Sequence, residues 1–248
     1  MLVLALIGLL AGTLIGAIGI GGILLIPALA AVAHVEIHRA MATALFTFIF
    51  TGIAGTLLFQ RKGTIEWRIT APLCAGALVF AFVGAWVNSL APSHGLALLL
   101  GAIIVFAGVH GLAGRRRRGV VAFHDDRGAQ RVLLVALGAV AGFGSGLTGV
   151  GGPALSVPLM MLFGFTPLPT IGASQAIQII AAVSGTLGNL RFGSIDLALA
   201  VPVTVGELAG VVLGARLAHA VEAAVLQRFV AVVCIAVGAL VMLSVVDR

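Results

Sequence analysis

The chain of 248 residues is 61% hydrophobic and only 9% charged, with a mean hydropathy of +1.23. Such a composition excludes an ordinary water-soluble domain, in which charged residues make up about a quarter of the chain. The net charge of +6 suggests nucleic acid, but six of the fourteen basic residues fall in one stretch, 114–131, where no aromatic residue alternates with the arginine run as a stacking platform needs.

Apolar stretches recur at 2–31, 40–59, 69–88, 95–113, 132–163, 170–190, 197–215 and 224–245. Each is long enough to cross a hydrocarbon core of roughly 30 Å. They predict an all-α, polytopic integral membrane protein. No positive region precedes "LVLALIGLL", and the apolar run continues past any plausible cleavage site, so a cleaved signal peptide is not expected.

The first stretch contains "GAIGIGGILLIPAL" (16–29), poor material for a straight helix. Glycine inside a helix costs about 1 kcal/mol relative to alanine, and proline about 3 kcal/mol. Gly8, Gly12 and Gly16 are explained by close helix packing through small residues. Gly19, Gly21 and Gly22 followed by Pro27 are not, and they predict a break at membrane depth. Backbone of that kind is tolerated only where protein buries it or a watery cavity receives it.

Next along the chain, "HVEIH" sets His34 and His38 around Glu36, which reads as an exposed polar loop rather than a metal site. Arg61 and Trp67 flank "KGTIE" and read as interface anchors, with gating of anions as the sharper alternative for Arg61. Cys74 and Cys234 lie in apolar segments without a metal-binding spacing and read as small buried hydrophobes. The basic stretch 114–131 is what the positive-inside rule predicts for a cytoplasmic connection.

That linker separates two halves, 1–113 and 132–248, that repeat one another. "GLLAGTLIGAIGIGG" (8–22) aligns with "GAVAGFGSGLTGVGG" (138–152) at an offset of 130, with seven of fifteen positions identical, six of them glycine. "GTLLFQRKGTIE" (55–66) aligns with "GTLGNLRFGSID" (185–196) at the same offset, pairing Arg61 with Arg191. One residue gained after Gly152 pairs Pro27 with Pro158 and Thr43 with Ser174. The chain is an internal duplication.

The break therefore occurs twice, the second time at Gly149, Gly151, Gly152 and Pro153. Paired Gly/Pro interruptions in corresponding segments point to a transporter's central site. A helix restarting after each break presents unpaired N–H groups and a positive dipole end, which favour an anion. Ser145, Thr148, Thr43, Ser174 and Gln175 supply polar side chains beside the breaks, mostly from the second half, with Gln178 nearby. Glu207, whose counterpart is Ala77, is the one carboxylate well inside an apolar segment and a candidate for ion coupling.

The glycine motifs "GTLIGAIGIGG" and "GFGSGLTGVGGPALSVPLM", with the "RKGTIEWR" loop, resemble the TauE/SafE family of membrane proteins, also called sulfite exporters, over essentially the whole chain. The resemblance implies an inner-membrane protein of bacteria that moves small sulfur-containing anions such as sulfite and organosulfonates. Two departures stand out: "GIGGILLIP" is one glycine poorer than the family's usual form, and its Gly-Thr-Ser element is "MATAL" in the first half and "GASQA" in the second.

Topology divides evenly by charge. Parallel halves leave Arg39, Arg216 and Arg228 outside and eleven basic residues inside; inverted halves leave Arg39, Arg191 and Arg248 outside and eleven inside. Runs of 30 to 32 residues exceed one span and favour re-entrant hairpins and inverted halves.

The expected function is a secondary carrier for a small anion, with a passive anion channel or a carrier for a non-sulfur anion as alternatives. Gly19, Gly21, Gly22, Thr43, Ser145, Thr148, Gly149, Gly151, Gly152, Ser174 and Gln175 are the expected binding residues. Glu207, Arg61 and Arg191 are the coupling or gating candidates. No enzyme activity, cofactor, metal or nucleic-acid partner is expected. The expected partners are the anion and the lipid bilayer, and a homodimer is the one protein assembly allowed for.

Overall fold

The computed structural model describes residues 2–19, 21–113, 127–163, 165 and 167–220, with scattered positions between 228 and 243. Most of the expected segment 224–245, Cys234 and most of the linker, 114–126, lie outside the described residues. Helices α1 (Leu2–Ile18), α2 (Gly22–Val32), α3 (Ile37–Arg61), α4 (Trp67–Leu90) and α5 (Ser93–Ala113) form the first half. Helices α6 (Arg127–Thr148), α7 (Pro153–Leu162), α8 (Pro167–Phe192) and α9 (Leu197–Ala220) follow in the second. Among the described residues there is no strand. Helices α3, α4, α6, α8 and α9 are long and apolar enough to cross a membrane; α1 and α2 are shorter apolar helices, as is the described part of α5.

The two long apolar stretches are each split. Gly19 closes α1, its N–H bonding to Ile15 O at 2.9 Å with φ at +80°, and Gly149 closes α6 in the same way, bonding to Ser145 O at 2.7 Å with φ at +69°. Both positions need the left-handed backbone that glycine adopts without a Cβ penalty at a helix end. Beyond each break the chain folds back. Gly21 packs against Ala11 O and Ile15 of α1, and Leu155 packs on Gly144 of α6. Residues ten or eleven apart on a straight helix would stand about 15 Å from one another. Pro153 takes the first position of α7, where its missing N–H costs nothing. Pro27 and Pro158 instead lie inside α2 and α7, past the breaks.

The halves interlock. Gly8, Gly12 and Gly16 of α1 lie against the backbone of Val203, Glu207 and Val211 on α9. Gly138, Gly142 and Gly146 of α6 lie against Leu73, Ala77 and Ala81 on α4, so all six partners keep the offset of 130. A β-carbon on Gly12 would stand 2.6 Å from Glu207 Cα, and one on Gly142 would stand 2.6 Å from Ala77 Cα, so only glycine permits these approaches. The small-residue packing expected for Gly8, Gly12 and Gly16 is thus observed, with a helix of the opposite half.

These registers fix directions. Partner numbers rise together in α1 with α9 and in α4 with α6, so each pair is parallel. Leu45 meets Gly185, Phe48 meets Gln178 and Gly55 meets Gln175, so α3 and α8 cross antiparallel. Ser184 bonds to Leu78 O and Gly188 packs on Ala85, making α8 parallel to α4. Thr43 meets Asp196 and Thr47 meets Glu207, making α9 parallel to α3. One direction is therefore shared by α1, α3 and α9, and the other by α4, α6 and α8.

Candidate functional site

The two breaks meet. Gly22 packs on Val150 O, across the halves. A β-carbon at Gly19 would stand 3.2 Å from Ser174 Oγ and 3.4 Å from the Pro153 side chain. Phe48 of α3 fills the space beside both breaks, its ring against Gly22 and Gly151. Every residue of the two breaks with a described side chain is buried.

Their backbone donors are free. Among the described residues, the N–H groups of Gly21, Gly22 and Ile23 donate no hydrogen bond, nor do those of Val150, Gly151, Gly152 and Ala154. Neither α2 nor α7 has a side-chain cap. Buried amides are normally paired, because an unmade bond leaves the desolvation cost standing. Two uncapped helix N-termini side by side concentrate N–H donors and positive dipole ends at one place.

The surrounding side chains divide by where their protons go. Ser145 is fully buried, and its Oγ has no partner among the described residues. Thr148 donates to Gly144 O at 2.6 Å and Ser174 to Ile171 O at 2.7 Å, each bonding back to its own helix. Gln175 Nε2 donates to Ile15 O at 3.4 Å, tying α8 to the last turn of α1, while its Oε1 is buried without a partner. Gln178 donates to Thr51 Oγ1 at 2.8 Å and to Phe48 O at 3.3 Å.

Thr43 has its hydroxyl engaged by another helix start. Its Oγ1 accepts the N–H of Asp196 at 3.0 Å and fixes the start of α9, where Asp196 also lies 3.8 Å from Arg39. Arg61 and Arg191 are exposed at the ends of α3 and α8, outside the break region. Arg191 lies over the Phe192 ring at 5.8 Å, and Trp67 Nε1 donates to Gln60 at 3.0 Å. In the His34 loop, His38 bonds Ala91 O at 3.1 Å and stands 3.3 Å from Glu36, and no metal-binding cluster occurs among the described residues.

Asn88 and Phe48 were not singled out from sequence. Asn88 Nδ2 donates to Leu147 O at 2.6 Å, capping the last turn of α6 much as Gln175 caps that of α1. Its only signal was an amide near the end of an apolar segment. Phe48 carried none, since an aromatic in a membrane helix ordinarily faces lipid or neighbouring helices. A groove of about 400 Å³ between α3, α4 and α8, lined by Thr56, Trp67, Cys74, Leu78 and Ile179, is almost wholly apolar.

Known proteins place the chain in a family. The family model described as "Sulfite exporter TauE/SafE" matches residues 4–241, and the chain belongs to that family. Similar proteins include the "Probable membrane transporter protein YunE" of Bacillus subtilis, 27% identical over 95% of each chain. Another from Bacillus subtilis, "Probable membrane transporter protein YdhB", is 29% identical over 91% of this chain and 94% of its own. A "Probable membrane transporter protein" of Xylella fastidiosa is 29% identical over 93% of this chain and 90% of its own. No solved structure matches the chain.

Proposed function

We propose that this member of the sulfite exporter TauE/SafE family is a secondary carrier that binds a small, singly charged anion between its two helix breaks. A hydrogensulfite ion or an organosulfonate is the substrate class this reading favours. The observation that carries it is the set of buried, unbonded N–H groups on Gly21, Gly22, Ile23, Val150, Gly151, Gly152 and Ala154, with the partnerless hydroxyl of Ser145 beside them. Arg61 and Arg191, the two repeat-related arginines, are exposed at helix ends outside the break region. The desolvation cost of an ion rises with the square of its charge, so a site built from dipoles favours one negative charge over two.

The way the halves interlock supports alternating access. The opposite directions of α1 and α6, and of their counterparts α3 and α8, support inverted halves with re-entrant hairpins. With the basic linker 114–131 in the cytoplasm, both termini and Arg191 face the periplasm of a bacterial inner membrane, and Arg61 faces the cytoplasm. Separating the breaks on one side at a time would expose the N–H groups to each compartment in turn.

Counterflow of labelled sulfite in liposomes holding the purified protein, competed by methanesulfonate, sulfoacetate, taurine and sulfate, tests this. Saturable counterflow is expected, competed better by a singly charged sulfonate such as methanesulfonate than by sulfoacetate or sulfate, each of which carries two charges. Flux that never saturates, with electrical conductance, would replace the carrier with a channel.

A further inference from the structure

Glu207 lies midway along α9 and is fully buried, with neither carboxyl oxygen hydrogen-bonded among the described residues. Its backbone is pressed against Gly12 of α1, about 10 Å along that helix from Gly19. Among the described residues, the elements packed on α9 bring it no countercharge. Helix α1 has no titratable residue. On α3 the hydroxyl of Thr47 faces the carboxyl but donates to Ala44 O at 2.8 Å, and His38, Arg39 and Arg61 sit at the ends of that helix. On α9 itself Arg216 is exposed near the far end, where His219 also falls in the sequence, and Asp196, which precedes the helix, lies beside Arg39. An intramembrane carboxyl with no cation and no donor is costly unless it binds a proton.

Building on the anion-carrier reading above, we infer that Glu207 is the coupling site of the carrier, binding one proton that crosses the membrane with each anion. The chemistry is a single association: a carboxylate oxygen takes a proton from the aqueous side and releases it on the other. The sign of the coupling follows from charge. An anion at the breaks and an ionised Glu207 repel one another through a poorly screened interior, so the anion binds best when Glu207 is neutral. By linkage the bound anion in turn raises the affinity of Glu207 for its proton. Proton and anion therefore load together and leave together, and transport of a singly charged anion is electroneutral. A physical route between the two sites exists on α3 and α8. Thr47 faces Glu207; Thr51, one turn along α3, accepts from Gln178; and Gln175, one turn from Gln178 on α8, bonds to Ile15 O beside the first break.

The test uses the full chain in liposomes containing a pH-sensitive dye, with an imposed pH gradient or an imposed potassium diffusion potential. The wild type should accumulate labelled methanesulfonate, a singly charged sulfonate with no titratable proton of its own, when the outside is acid, acidify the lumen as it does so, and respond less than twofold to potential. Glu207→Gln should lose at least tenfold of the gradient-driven accumulation, lose the lumen acidification, and become sensitive to potential because the anion then crosses alone. Glu207→Asp should restore acidification in part. A Glu207→Gln protein that still acidifies the lumen with its substrate overturns the assignment. So does one that elutes as a folded species yet carries no anion under either driving force, since Glu207 would then serve structure or anion binding. Failure of the wild type itself to show counterflow counts against the anion-carrier reading, not against Glu207 in particular.

Discussion

Gly22 packs directly on the carbonyl oxygen of Val150, so a residue opening α2 in one half touches the middle of the break in the other. The contact joins two structures made by similar local means, a left-handed glycine ending one helix and an uncapped helix starting beyond it. The halves interlock through α1 with α9 and α4 with α6, so the helix leading into each break is packed on a helix of the opposite half.

Gly151 tests the break by backbone conformation. Its φ is +90°, and an added β-carbon would stand 3.2 Å from the Phe48 ring. Gly151→Ala should cost about 1–2 kcal/mol from the left-handed backbone alone. It should reduce counterflow by at least tenfold while the protein still inserts and elutes as a single species. Counterflow within twofold of wild type would remove this break from the binding site.

The amide caps should differ in what they hold. Asn88 makes a 2.6 Å bond to Leu147 O at the end of α6, whereas Gln175 reaches Ile15 O only at 3.4 Å. Losing the shorter, better-formed bond to a half-buried carbonyl costs about 1 kcal/mol, against less for the long contact of Gln175. Thermal unfolding in detergent should therefore show a larger drop for Asn88→Ala than for Gln175→Ala, and equal drops would contradict the ranking.

Arg61 and Arg191 are exposed, away from the break region. Surface changes of this kind usually alter stability by less than about 0.5 kcal/mol. Arg61→Gln and Arg191→Gln should leave the apparent affinity for sulfite within twofold in the counterflow assay. A tenfold loss from either would restore that arginine to the transport path.

The same pair reports topology. With Cys74 and Cys234 replaced by alanine, Arg61→Cys and Arg191→Cys give single exposed thiols at repeat-related helix ends. In intact cells a membrane-impermeant maleimide should label the cysteine at 191 and not the one at 61. Labelling of both, or of neither, would contradict inverted halves.

Much of this was legible in the sequence because glycine and proline leave marks that apolar residues do not. The splits within 2–31 and 132–163 followed from Gly19 to Gly22 and Gly149 to Pro153, where helix cost is concentrated. The exchange of partners between halves was not legible. Gly8, Gly12 and Gly16 announce a close neighbour, but nothing local says that the neighbour is α9 rather than another helix. Thr43 and Ser174 are counterparts by alignment and diverge in use, since Thr43 Oγ1 is taken by the N–H of Asp196 while Ser174 stands beside Gly19. Hydroxyl direction depends on the neighbouring helix, which one segment of sequence does not carry. Phe48 was unreadable for the same reason: its role lies in the two breaks it touches.

The most direct measurement is the position of a bound anion, with selenite standing in for sulfite so that anomalous scattering identifies it. The account predicts one selenium peak within hydrogen-bonding reach of the amides of Gly21 to Ile23 and of Val150 to Ala154, close to Ser145. A peak at Arg61 or Arg191 with the breaks empty would contradict it.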